Sequence, residues 1–116
     1  MKSKDELPEC PVALTLSLLN SKWKLLIVRN LLIRPWRFNE LKESLNGISQ
    51  KVLTESLKSM EDDGIITRTE IKNSPPKIVE YSLSPLGKSL KPLLTAMQEW
   101  GRMYKSQTDK SQANKS

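Results

Sequence analysis

The chain has no histidine and only one cysteine among its 116 residues. Those shortages remove the usual metal cages, the Ser-His-Asp arrangement and the Cys-His pair. Its four glycines, Gly47, Gly64, Gly87 and Gly101, are scattered, so there is no Gly-rich phosphate loop. Neither catalysis nor a cofactor or metal is expected. No apolar run approaches the roughly 20 residues that span a bilayer. The charged start, Met1 to Glu6, leads into no apolar stretch with a cleavage site, so it does not read as a secretory signal. One cysteine cannot close an internal disulfide, and the cytoplasm is the expected compartment.

A hydrophobic share of 37% supports a real core, and the length suits one domain. The net charge of +6 favours anionic partners without naming one. Residues 1–9 read as a loose arm and 106–116 as a polar, disordered tail, leaving a domain over 10–105. Cys10 falls at a cap position, with Pro11 as first helical residue. Val12 to Leu19 is apolar nearly all round, so the domain or a second subunit must cover it. Asn20-Ser21 breaks that helix and caps the next. In the next helix Trp23, Leu26, Ile27, Asn30 and Leu31 share a face, and Lys22 and Arg29 lie opposite. Ser84-Pro85 opens a last long helix with a stripe of Leu86, Leu90, Leu93, Leu94, Met97, Trp100 and Tyr104, which Pro92 is expected to bend.

Phe38 to Ser84 is the most informative stretch. It reads as a short helix to Leu45, a turn at Asn46-Gly47-Ile48, and a second helix from Ser49 to Met60 stopped near Gly64. Two alternating segments follow, Ile65 to Lys72 and Lys77 to Leu83, and Trp36-Arg37 can add a third strand. A helix-turn-helix followed by a hairpin places one helix in the DNA major groove and a loop beside it. The fold class is therefore α+β, mostly α: a winged helix-turn-helix with additional N- and C-terminal dimerisation helices. The two apolar terminal helices expose more surface than one small domain covers.

Several stretches resemble the HxlR-like family of bacterial winged-helix transcriptional regulators, relatives of the MarR-type regulators. They are Cys10-Pro11-Val12, Lys22-Trp23-Lys24, Arg37 to Leu41, Gly47 to Thr54, Leu57 to Gly64, Pro75 to Leu83, Ser84 to Gly87 and Trp100-Gly101, with matching spacings over about residues 10–102. The chain departs from the family at Arg34-Pro35-Trp36, where a Gly usually precedes the Arg-Phe motif. The resemblance implies a homodimer held by the first and last helices that binds operator DNA as repressor or activator. It also implies, for some members, redox or electrophile sensing through an N-terminal cysteine.

The candidate DNA-binding residues are Arg37, Ser49, Gln50, Lys51, Thr54, Lys58, Lys72 and Lys77. Gln pairs two-pronged with adenine, Lys with guanine or phosphate, and Thr touches the thymine methyl. Arg37, Lys58, Lys72 and Lys77 are candidates for phosphate contacts. On an arbitrary helix the same residues would be a solvated face. The candidate dimer interface comprises Val12, Leu16, Leu19, Leu90, Leu93, Leu94, Met97 and Trp100. Cys10 is either a small packing residue or a sensor whose thiolate the helix start favours. The expected partners are a pseudo-palindromic duplex and a second copy of the chain, with no membrane, and an oxidant or small-molecule inducer stays open. The rival reading is a winged-helix protein-interaction module that does not bind DNA.

Overall fold

A computed structural model describes residues 6–72 and 75–115, and the side chains of Lys72 and of 109–115 lie outside that description. Helix α1 (Pro11–Leu18) begins as its Pro at the first position dictates. Helix α2 (Lys22–Ile33) starts at Ser21, whose hydroxyl accepts the Lys24 N–H at 3.2 Å. Pro35 follows, and β1 (Trp36–Arg37) leads directly into α3 (Phe38–Ser44). Helix α4 (Gln50–Asp62) comes next, then β2 (Ile66–Lys72) and β3 (Ile78–Leu83). Two C-terminal helices, α5 (Pro85–Lys88) and α6 (Lys91–Lys115), end the chain.

The sheet order is β1-β3-β2, antiparallel throughout, with Trp36 opposite Tyr81 and Ile66 opposite Leu83. The short Trp36-Arg37 strand therefore pairs with the hairpin, as the sequence suggests. Its anchor is chemical: the Trp36 indole N–H donates to the Asn30 carbonyl at 2.8 Å. Asn30 is itself buried, and its amide donates to Ser44 Oγ at 3.1 Å. A polar residue on the apolar face of α2 is thus satisfied by joining α2 to α3 and β1.

The core gathers Ile27, Val28 and Leu31 of α2 with Leu41, Leu53, Leu57, Met60 and the sheet residues Ile66 and Leu83. Leu53 and Leu57 fix α4 on this core, and Leu53→Ala is expected to cost about 2–5 kcal/mol of stability. The two turn glycines take positive φ, 94° at Gly47 and 78° at Gly64. The first bends the chain between α3 and α4, and the second stops α4 where the sequence placed its end. Gly87 answers a different need: a Cβ there would lie 2.2 Å from the Ile65 carbonyl oxygen. The backbone of α5 sits directly on the strand entry, and Ser84 ties it there by donating to the Gly64 and Ile65 carbonyls at 2.6 and 2.9 Å.

The last helix differs from the sequence reading in two ways. Pro92 does not bend it. The chain breaks earlier, at Ser89-Leu90, and Pro92 falls in the first turn of α6, where its missing N–H has no partner to lose. The segment read as a polar tail from 106 is also helical as far as Lys115. It holds no Gly or Pro, and its Lys, Gln and Ala residues propagate a helix that is already nucleated. The 25 residues of α6 make a rod of about 37 Å. It projects from the body, which explains a radius of gyration of 17.1 Å where about 13 Å suits a compact chain of this length. No helix among the described residues is long and apolar enough to cross a membrane.

Candidate nucleic-acid interface

Helix α4 is strongly two-faced. Leu53, Ser56, Leu57 and Met60 are buried, whereas Gln50, Lys51, Thr54 and Lys58 are exposed. Four-residue spacing sets Gln50, Thr54 and Lys58 in one row along the outer face, with Lys51 beside it. No acid occurs in the first turn, so the positive end of the helix dipole is not neutralised there. Ser49 has a different role from its neighbours. It is the cap, and its Oγ accepts the Val52 N–H at 3.1 Å, which leaves its hydroxyl hydrogen as the group free for an outside acceptor. Glu61 and Asp62 close the opposite end.

Arg37 and Lys77, forty residues apart in sequence, line one cleft of about 280 Å³ together with Asn39. The ladder brings them together, because β1 pairs with β3 and Lys77 stands just before β3. Glu80 lies opposite Arg37 in that ladder. Asn39 was not singled out from the sequence, although its place in the first turn after Arg37 could have marked it. Arg68 faces Glu70 at 3.8 Å, so its charge is already matched within its strand. The backbone of Lys72 pairs with Ile78, and its side chain lies outside the described residues, as does the Asn73-Ser74 tip.

Arg37 is held in position by residues the sequence reading passed over. The Glu40 carboxylate accepts the Arg37 N–H at 2.8 Å and faces Arg34 Nη1 at 3.4 Å. The Arg37 amide, aided by the Arg34 guanidinium, holds the Glu40 carboxyl below the usual range. Arg34 in turn stacks on the Trp36 ring, 3.7 Å from its centroid. The signal was present as an acid three residues into a helix start. Behind α4, Lys24 reaches from α2 to donate to Ser59 Oγ at 2.9 Å, with only 9% of the residue exposed.

Cys10 is exposed and stands at the cap of α1. The first-turn amides of Ala13 and Val12 face its sulfur and hold the thiol below its ordinary value. Helix α1 itself buries no residue, and Val12 and Leu16 are 68% and 61% exposed. Met97 and Trp100 continue an exposed apolar stripe along α6, where Trp100 stacks on Tyr104 at 5.4 Å. Leu90, Leu93 and Leu94 are half-buried against the core of their own chain. Leu19 departs from the interface expectation. It is a core residue, because the turn after α1 swings it inward as the helix ends.

The sequence pattern of the HxlR-like helix-turn-helix family matches residues 18–109. The HTH-type transcriptional regulator YdeP of Bacillus subtilis (strain 168) is 40% identical over 111 residues, which cover 96% of this chain and 86% of that one. The redox regulator HypR in its reduced form superposes with a TM-score of 0.81 at 34% identity, covering 87% of this chain and 99% of that chain. A MarR-family transcriptional regulator from Porphyromonas gingivalis W83 gives a TM-score of 0.76 at 36% identity, over 88% and 97% of the two chains. With its helix-turn-helix, three-stranded wing and this likeness along most of its length, the chain belongs to the HxlR-like family of transcriptional regulators.

Proposed function

We propose that this regulator works as a homodimer on a pseudo-palindromic duplex site, with α4 reading bases and the Arg37–Lys77 cleft gripping the backbone. The observation that carries this reading is the outer face of α4, where Gln50, Lys51 and Thr54 stand exposed with no acid in the first turn. A helix that served only to hold a core would have no need of that surface beside a cationic wing. Phosphate contacts supply much of the affinity and make it salt-dependent. Self-association rests on α1 and α6, whose Val12, Leu16 and Trp100 are exposed apolar groups on a projecting frame. Selection from a random duplex library tests the whole reading. An inverted repeat with half-sites about 34 Å apart, one DNA turn, is the expected product. Recovery of no common sequence would favour the protein-interaction module instead.

The Cys10 thiol is the proposed switch. It is exposed, its acidity is raised by the first-turn amides, and it sits at the start of a helix assigned here to the dimer contact. The likeness to HypR, a redox regulator, supports this direction. With one cysteine per chain, the oxidised state is an intersubunit disulfide or a mixed disulfide with a small thiol.

A further inference from the structure

A hollow of about 730 Å³ runs between α2 and α6, within the range of small-molecule sites. Its apolar lining is Leu26, Leu32 and Ile33 of α2, with Ile33 74% exposed, and Leu94 and Met97 of α6, two residues also named above as candidates for the dimer contact. Its charged lining is all of one sign: Lys22, Arg29 and Lys91, with no carboxylate, in a chain that has 13 acids. None of these cations has an ion-pair partner among the described residues. Lys22 lies over the Trp23 ring at 4.5 Å. Arg29 turns Nε and Nη2 to the neutral Asn30 Oδ1 at 3.2 and 3.0 Å.

We propose that this hollow binds a small amphipathic anion, an apolar chain of several carbons ending in a carboxylate. The chain would cover Ile33 and the leucines, and the carboxylate would meet the cations at the rim, where a guanidinium offers paired donors. Two other occupants fit less well. A nucleic-acid backbone would satisfy the cations and leave the apolar lining in water. A second copy would bring few anions, because α1 has no acid and α6 carries only Glu99 and Asp109. The inference does not depend on the DNA reading, since the binding is measured without DNA.

The test is calorimetry on the full chain with sodium octanoate, 1-octanol and octylamine as matched probes. Octanoate is expected to bind saturably below its micelle concentration, and octylamine not to bind. The Arg29→Ala/Lys91→Ala double variant is expected to weaken octanoate about ten-fold and leave octanol unchanged. Ile33→Ser should weaken octanoate and octanol alike. No saturable octanoate binding, equal binding of octylamine, or undiminished binding by the double variant would overturn the proposal. So would sedimentation that shows the double variant as a monomer where the wild type is a dimer, which would make the hollow a contact between copies.

Discussion

At the scale of single residues, exposure decides which polar groups are free to act. Lys51 and Gln50 face outward near the start of α4, whereas Ser49 already spends its oxygen on the cap and Lys24 is bound to Ser59. Lys77→Ala should weaken all duplex sequences alike and lower the slope of log affinity against log salt by about one; a loss confined to one sequence would contradict a phosphate role. Glu40 carries a pH signature. Its folded pKa is depressed, so its contribution to stability is present above the unfolded carboxyl value of about 4.3 and fades as pH falls through the lower folded value. Glu40→Gln is expected to flatten that acid limb of a denaturation series, and an unchanged limb would show that the carboxylate makes no net contribution. Cys10→Ser should bind DNA as the reduced wild type does and ignore diamide. If both proteins respond alike, the thiol is not the switch.

At the scale of elements, the helix-turn-helix and hairpin were legible because their punctuation is chemical. Ser21 and Ser84 cap where expected, Gly47 and Gly64 turn where expected, and Ser49, expected as the first helical residue, is the cap one position before α4. The third strand was legible too, since Arg34-Pro35 has to end α2 and Trp36 has to find cover. Leu19 was misplaced because periodicity carries no information once a helix has ended. The length of α6 is not legible from hydrophobicity, because a solvated helix and a loose tail share a polar composition, whereas a nucleated helix without Gly or Pro continues on propensity alone. Meeting points between distant segments, such as Arg37 with Lys77, needed the ladder. The terminal helices carry a discriminating test. Leu16→Glu changes an exposed residue, so a folded monomer is expected by sedimentation instead of twice the 13.2 kDa chain mass; an intact dimer would move the contact elsewhere. Gly101 sharpens this, because nothing lies within 4 Å of a Cβ built there and Gly costs a helix about 1 kcal/mol against Ala. If a partner backbone approaches at that point, Gly101→Ala will raise helicity yet weaken the dimer. A variant that is more helical and equally dimeric would place that approach elsewhere.

At the scale of the whole molecule, the parts are mechanically continuous. α2 packs on α4 through the core and Lys24–Ser59, and on α6 through Leu94, so α4 and the projecting rod share one support. In the proposed dimer, a displacement at α1 or α6 would change the distance between two copies of α4, and half-sites one turn apart would tolerate little change. In the proposed dimer on DNA, that continuity would give an oxidant at Cys10, or a ligand between α2 and α6, a route to the duplex. The central claim is that α4 reads base edges from its exposed N-terminal face. The most direct test is fluorescence anisotropy with the selected operator and a scrambled duplex, comparing wild type with Gln50→Ala at one fixed salt concentration. The account predicts a loss of about 1–3 kcal/mol on the operator, with relaxed preference at one base position and no change on the scrambled duplex. Equal operator affinity for the two proteins would contradict it.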